Sequence, residues 1–458
     1  LDFQPASAVF ADYVESLQWA SLDELSKHRA QLFLHDSLAV GLAGKKAPYA
    51  DALFAAASAW GLPADLGSTV LGRPGLRLPA PSAAFVNAYQ IHGQEFDCVH
   101  EAAVVHPLAT LVAVLLAEID RGAPCDGRRF LTALCAGVDV SVALGLAATS
   151  PLKFFRPATA GIFGCIAALA KLRGASRDQT INALGYGLAF ASGTMQAHLE
   201  GLPTLPVQIA AAARSAIQAM DLAQVGLPGP RGAIDGPFGY LSLFEDSSDL
   251  IHVLNSLGSV SRISEVSWKP FPTGRAAHGG IVATQRLMAE HGVSPETLAH
   301  LTYSAPPLIS RLVGRPAVPD MTPAYARLCL PYLASLVLRY GTVGLEDFSP
   351  DRLHDPETLA LAQKIDVEVN DNLDPAAFTP ALATAVLSDG TRFKVSILAQ
   401  LGSPALPLTF DQHLTKARAC MAFAGMADRH QALTDAVMTL AESTNVSGDL
   451  QSALYPQA

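Results

Sequence analysis

Between residues 108 and 220 the chain is written largely in Ala, Leu and Gly, and this run constrains the fold more than any other feature. Such a composition suits long helices that pack closely through small side chains. Breaks near 121–127, 149–157, 173–177 and 201–206 divide the run into segments of helical length, among them 130–148, 159–173 and 178–191. No steady repeat period runs through it, so a stacked-repeat architecture is not expected.

The flanks extend the helical pattern. Phe10, Val14 and Leu17 fall at helical spacing. Ser21 followed by Glu24 has the form of a capping box and predicts a helix from there to about residue 44. A further helix is expected over 48–61, stopping at Gly61, and Ser82 is a candidate cap for a helix over 83–90. After residue 260 the periodicity changes. Strands are expected at 298–303, 364–370, 381–388 and 391–397, the last two joined by the hairpin dipeptide Asp389-Gly390. Helices at 276–291 and 327–340 lie between them. From 410 the pattern returns to helix, at 410–426 and 433–442. The expectation is a mainly α protein, with a large all-helical domain (1–262 and 406–458) interrupted by a smaller α+β module at 263–405.

Half of the 458 residues are hydrophobic and only 16% are charged, which is enough for a large core and excludes disorder. A formal net charge of −10 argues against a nucleic-acid partner. It leaves a small anionic ligand open, because a few local cations decide that. The six cysteines show no CxxC spacing and most sit in apolar runs, as buried thiols of a reducing compartment do. The run 102–119 comes nearest to a membrane span but contains His106, Pro107 and Glu118, so no membrane association is expected. No basic segment followed by an apolar run opens the chain, so no signal peptide is expected and the location is expected to be cytoplasmic. The Gly/Pro-rich stretch 226–244 reads as a loop without either nucleotide-binding fingerprint.

Three segments carry polar chemistry. Residues 87–107 gather His92, Glu95, Asp97, His100, Glu101 and His106 ahead of an apolar helix, where they either face solvent or line a cavity. Residues 267–280 hold Lys269, Arg275 and His278. A helix beginning at Thr273 or Gly274 would put Arg275 and His278 on one face, and its N-terminus with the two cations would suit a carboxylate. Residues 185–206 hold Thr194, Gln196, His198 and Glu200, where His198 is either a helix-end contact or a site residue. The histidine spacings match no tetrahedral zinc motif and HExxH is absent, so no metal is expected. The absence of G-x-S-x-G argues against a serine hydrolase.

The segments HGQEFDCVHEAAVVHP (92–107), PATAGIFGCIAALAKLRG (157–174), GLAFASGTMQ (187–196), GPRGAIDGPFGYLSLF (229–244) and KPFPTGRAAHGG (269–280), in this order, resemble the MmgE/PrpD family of 2-methylcitrate dehydratases, cis-aconitate decarboxylases and iminodisuccinate epimerases. The resemblance implies a helical domain built from both chain ends, an inserted lid, and an active site in the cleft between them. It also implies a homodimer without metal or organic cofactor that acts on small di- or tricarboxylates. The family's acidic block is Glu95-Phe96-Asp97-Cys98 here, with Val99 in place of its usual threonine. His100, His106-Pro107, Lys269 and His278 are kept. Arg156, Ala197, Glu200 and Gly274 stand where the family often has histidine, lysine, histidine, and histidine or cysteine; Cys329 replaces a lid serine.

These replacements make decarboxylation the least expected of the three activities and dehydration the first, with epimerisation of an amino- or imino-dicarboxylate second. A family member that binds a carboxylate with little turnover is a third reading. The expected roles are His106 as base, Asp97 as a group that either orients a histidine or binds the hydroxyl or amine of the substrate, and His278 as acid. Lys269 and Arg275 would hold the substrate carboxylates, and Glu95 would stand behind the site. His92, His100, His198 and Arg156 are further binding candidates.

Overall fold

The computed structural model describes residues 5–61, 67–122, 124–374 and 377–455; the outermost residues of the expected helical domain, 1–4 and 456–458, lie outside that range. Helix accounts for 59% of the structure and strand for 9%, so the protein is mainly α with a smaller α+β region.

Small residues set the helix spacing in the larger region. Helices Gly127–Ala147 and Gly161–Arg173 cross where Gly137 meets Gly164. A Cβ on Gly164 would stand 2.6 Å from the Gly137 carbonyl oxygen, so only glycine permits this approach. Gly127–Ala147 is the one described helix long and apolar enough to cross a membrane, rather than 102–119, and 94% of its most apolar window is buried inside the fold. It is the core helix of this region. All six cysteines are buried and unpaired.

Local details depart from the sequence expectations where a neighbouring residue offers a better cap. Helix Glu24–Ala43 starts from Asp23, whose carboxylate accepts from the Ser26 amide, while Ser21 closes a short 3-10 turn before it. Helix Ala80–His92 starts ahead of Ser82, with Pro81 in its first turn, where a missing amide hydrogen costs nothing. The expected helix 159–173 is broken into Arg156–Thr159 and Gly161–Arg173.

Among the described residues there are two large hydrophobic cores, beside a small cluster of Ala8, Ala11 and Ile181. The first takes in residues from Ala6 to Trp268 and resumes at Leu408; the second runs from Phe271 to Ile397. The second core lies under a four-stranded sheet in the order Ile365–Val369, Leu298–Ala305, Ala381–Leu387, Arg392–Ile397. Its first pair is parallel and the others antiparallel. The hairpin turns at Asp389-Gly390, with Gly390 at φ +87° and the Leu387 amide donating to the Thr391 carbonyl at 2.8 Å. Helices His278–His291 and Leu330–Tyr340 pack on this sheet. The two chain crossings between the cores lie side by side, because the Trp268 amide donates to the Gly402 carbonyl at 2.9 Å.

The C-terminal helices close the first core. The Gly127 amide donates to the Ser443 carbonyl at 2.9 Å, and a Cβ on Gly127 would stand 1.5 Å from the Leu440 carbonyl oxygen. Gly127→Ala is expected to lower stability by about 1–3 kcal/mol through this overpacking, opposite in sign to the usual preference of helices for Ala. Thermal or urea unfolding reads the effect. Lys416 reaches deeper, bonding Asp36 at 2.7 Å and the Phe96 carbonyl at 2.8 Å.

Candidate active site

The segment 92–106 is shaped by its ends. Helix Ala80–His92 stops at Gly93, and the Glu95 amide then donates back to the His92 carbonyl at 2.8 Å. Glu95 sits at φ +50°, a left-handed conformation that a non-glycine residue rarely adopts. Val99 pairs with Ser267 through two backbone bonds of 3.0 and 2.8 Å. His106 is the residue ahead of helix Pro107–Arg121. The pairing brings the first and second polar segments of the sequence together.

Asp97 is the hub. It is fully buried and meets both His92 Nδ1 and His106 Nδ1, at 3.1 and 3.0 Å. Lys269, also fully buried, bonds Glu95 at 2.8 Å and stands 3.8 Å from Asp97. Burial alone would raise the carboxyl pKa of Asp97, but His92, His106 and Lys269 hold it well below its ordinary value. Glu95 is likewise brought down to about 2, against burial, first by Lys269 and then by His92 and His106. The two imidazoles are driven apart. For His92, burial opposes charge, yet Asp97 and Glu95 outweigh it and raise the pKa. For His106, burial lowers the pKa; Asp97 opposes and Lys269 reinforces the shift, and the result is a fall. At neutral pH His106 is therefore a neutral imidazole held on an ionised aspartate, which suits a base.

His106 lines a cleft between the two cores. Its Nδ1 is taken by Asp97, so Nε2 is the nitrogen left for chemistry. Glu95, Arg156 and His198 line the cleft from the helical side, and Gly274, Arg275 and Ala276 line it from the other. The last three open the continuous helical run 275–291, whose first amides have no acceptor within the helix and carry its positive end.

The remaining expected residues are placed differently. Lys269 lies behind Glu95 and does not line the cleft, so it neutralises Glu95 and Asp97 instead of meeting a ligand directly. His278 is fully buried away from the cleft wall, with Nδ1 3.3 Å from Arg275 Nη1, and burial with the Arg275 and Lys269 charges pushes its pKa well down. A neutral, enclosed imidazole is poorly placed to donate a proton to a ligand. His100 turns away to Glu265 at 3.2 Å. Arg156 is held by both oxygens of Glu245, at 2.8 and 2.9 Å, so much of its charge is already matched. His198 is brought to about 4 by burial and by Arg315.

Sequence reasoning missed several supporting groups. Glu101, counted among the candidates without a role, bonds Arg275 at 2.7 Å. Arg327 is fully buried and donates to the Gln94 and Pro272 carbonyls, each at 2.8 Å. Glu245 and Lys416 carried no local signal, because each meets its partner across long sequence separations.

His92, Asp97 and His106 also offer three ligand atoms within 4.8 Å of one another. Both Nδ1 atoms stand at hydrogen-bond distance from Asp97. The Lys269 ammonium already supplies positive charge beside the two carboxylates. The donor set therefore fits a hydrogen-bonded acid–base network better than a cation site.

The model of the MmgE/PrpD N-terminal domain matches residues 8–251, and that of the C-terminal domain matches residues 271–441. The chain is 27% identical to a human cis-aconitate decarboxylase over 84% of its own length and 81% of the relative's. It is 26% identical to the mouse cis-aconitate decarboxylase over 84% and 80% of the two chains. It is 25% identical to the cis-aconitate decarboxylase-like protein oryM of Aspergillus oryzae over 96% and 95%. With both domain models matched in order across most of its length, the chain belongs to the MmgE/PrpD family.

Proposed function

We propose that the protein is a lyase acting on a small di- or tricarboxylate, with proton abstraction beside a carboxylate as its first step. The observation that carries this reading is His106, a neutral imidazole fixed on buried Asp97 with its second nitrogen free at the cleft. Nε2 takes the proton from the carbon next to a substrate carboxylate. The negative charge that develops on that carboxylate lies against the first amides of the helical run that Arg275 opens. For dehydration, a hydroxyl on the neighbouring carbon then leaves as water after receiving a proton. The imidazolium that His106 becomes on taking the first proton supplies it, because His92, like His278, is buried and does not line the cleft. Every group in this scheme comes from the chain, so no metal or organic cofactor is required.

The names of the relatives favour a second reading, decarboxylation, in which carbon dioxide leaves and a proton is delivered to carbon. Ala197, Gly274 and the Glu245-bound Arg156 speak against it, since fewer uncommitted cations and proton carriers remain. Incubation with hydroxylated di- and tricarboxylates and with cis-aconitate in deuterated water, followed by NMR, tests both. An alkene formed with loss of water is the expected product. Carbon dioxide release would establish decarboxylation instead. Deuterium entering the α carbon with no bond lost would favour the epimerase reading and overturn the lyase.

A further inference from the structure

His92 lines a second cavity, beside the cleft that His106 lines. The two spaces share Glu95, Leu205 and Leu328 in their walls but no cationic group. The second is also walled by Arg327 and by apolar residues such as Leu202, Pro206 and Ala324. It offers about 100 Å³, where one water needs roughly 10–15 Å³, so a molecule of a few heavy atoms fits.

Two buried donors in this wall are left unused by the fold. His92 meets Asp97 through Nδ1 at 3.1 Å, while its buried Nε2 has no hydrogen-bond partner among the described residues. Glu95 Oε1 stands 3.4 Å from that nitrogen, beyond the roughly 2.7–3.2 Å of an N–H···O bond. Arg327 spends Nη1 on the Gln94 and Pro272 carbonyls and Nη2 on the Gln94 side chain, and its buried Nε is likewise without a partner. A buried donor without an acceptor is costly, and two in one wall call for a ligand that accepts. The charges point the same way. The titratable groups facing His92 are Asp97, Glu95, Lys269 and the neutral His106. Burial opposes charge on His92, yet Asp97 and Glu95 outweigh it. Burial lowers the pKa of Arg327 to about 9, which leaves it charged at neutral pH. With His92 protonated, the cations His92, Lys269 and Arg327 outnumber the carboxylates Glu95 and Asp97 by one, and one further negative charge balances the group.

We propose that this cavity is a binding site for a small monocarboxylate, which accepts from His92 Nε2 and Arg327 Nε and is a separate molecule from the ligand at His106. The site does not depend on which reaction His106 performs.

Calorimetric titration of acetate into the full-length protein tests it. Acetate is expected to bind with a Kd of about 0.1–10 mM, in keeping with its few atoms. A neutral His92 with its proton on Nδ1 presents a bare Nε2, so only the imidazolium can donate to the ligand. Between about pH 6 and 9 the Kd is therefore expected to rise by up to about tenfold per unit once the His92 pKa is passed, with a proton taken up on binding. Titrations in two buffers of different ionisation heat read that proton. Acetamide, of the same shape but uncharged, is expected to bind at least about tenfold more weakly. Ala324→Phe fills the cavity and is expected to abolish acetate binding, and Ala197→Leu, in the same wall, is a second variant should the first fold poorly. Four results would each overturn the proposal: no saturation by acetate, a Kd indifferent to pH, acetamide binding as tightly as acetate, or acetate binding unchanged in a folded cavity-filling variant.

Discussion

His106→Asn is expected to lower kcat by about two to four orders of magnitude, the usual contribution of a positioned general base, with the folded structure intact by circular dichroism and thermal unfolding. Asn keeps a polar group near Asp97 but cannot take up a proton. In the unsubstituted protein the acid limb of kcat/KM is expected below the ordinary imidazole pKa, because burial and Lys269 lower that of His106. Asp97→Asn supplies the mechanistic check. Asp97 raises the pKa of His106, so its removal should move the limb to still lower pH while turnover falls. Unchanged turnover in His106→Asn would end the base assignment. An acid limb that moves upward in Asp97→Asn would end the proposed coupling.

Lys269→Met is expected to destabilise the fold by about 3–5 kcal/mol, the usual cost of removing one partner from a buried charged group. The substitution keeps most of the side-chain volume and removes the charge that faces Glu95 at 2.8 Å and Asp97 at 3.8 Å. The effect depends on pH in a defined direction. Glu95 has a folded pKa of about 2, below its ordinary value of 4.5. Its stabilising contribution is therefore complete above pH 4.5 and is lost as the pH falls toward 2. In Lys269→Met the largest cause of that depression is gone, so the pKa of Glu95 rises and the loss begins at higher pH. Urea unfolding from about pH 3 to 8 reads both effects. A variant as stable as the unsubstituted protein at neutral pH would show that the pair contributes little. The same substitution separates two roles for Lys269, because a lysine that only neutralises Glu95 leaves KM for short carboxylates little changed.

The parts of the site that can be read from sequence are those whose chemistry is local. Asp97 and His106 lie nine residues apart in a segment dense with titratable groups, and their contact forms within that segment. The hairpin at Asp389-Gly390 is legible for the same reason, since two residues determine it. What sequence reasoning does not supply is the pairing of charges across long separations. Lys269 and Arg275 stand out as free cations for a ligand, yet each meets a carboxylate from the 92–106 segment: Glu95 for Lys269 and Glu101 for Arg275. Arg156 is matched by Glu245, which nothing near either residue announces. Burial also separates two histidines of similar standing. His278 is enclosed and His106 reaches the cleft, a difference of packing that residue type does not encode. The helix start at Asp23 rather than Ser21 is a competition between two good caps, decided by which one reaches an amide in register.

The bonds from Lys416 to Asp36 and to the Phe96 carbonyl join three distant parts of the chain at the residue next to Asp97. During synthesis, Asp36 and Phe96 emerge long before Lys416, with the entire sheet-bearing region in between. Until the last helices are made, the Asp36 carboxylate has no Lys416 partner and the strained turn at Glu95 lacks this tether. The candidate site is thus completed late in translation, and a chain cut short ahead of Lys416 leaves the ribosome with its 92–106 segment untethered.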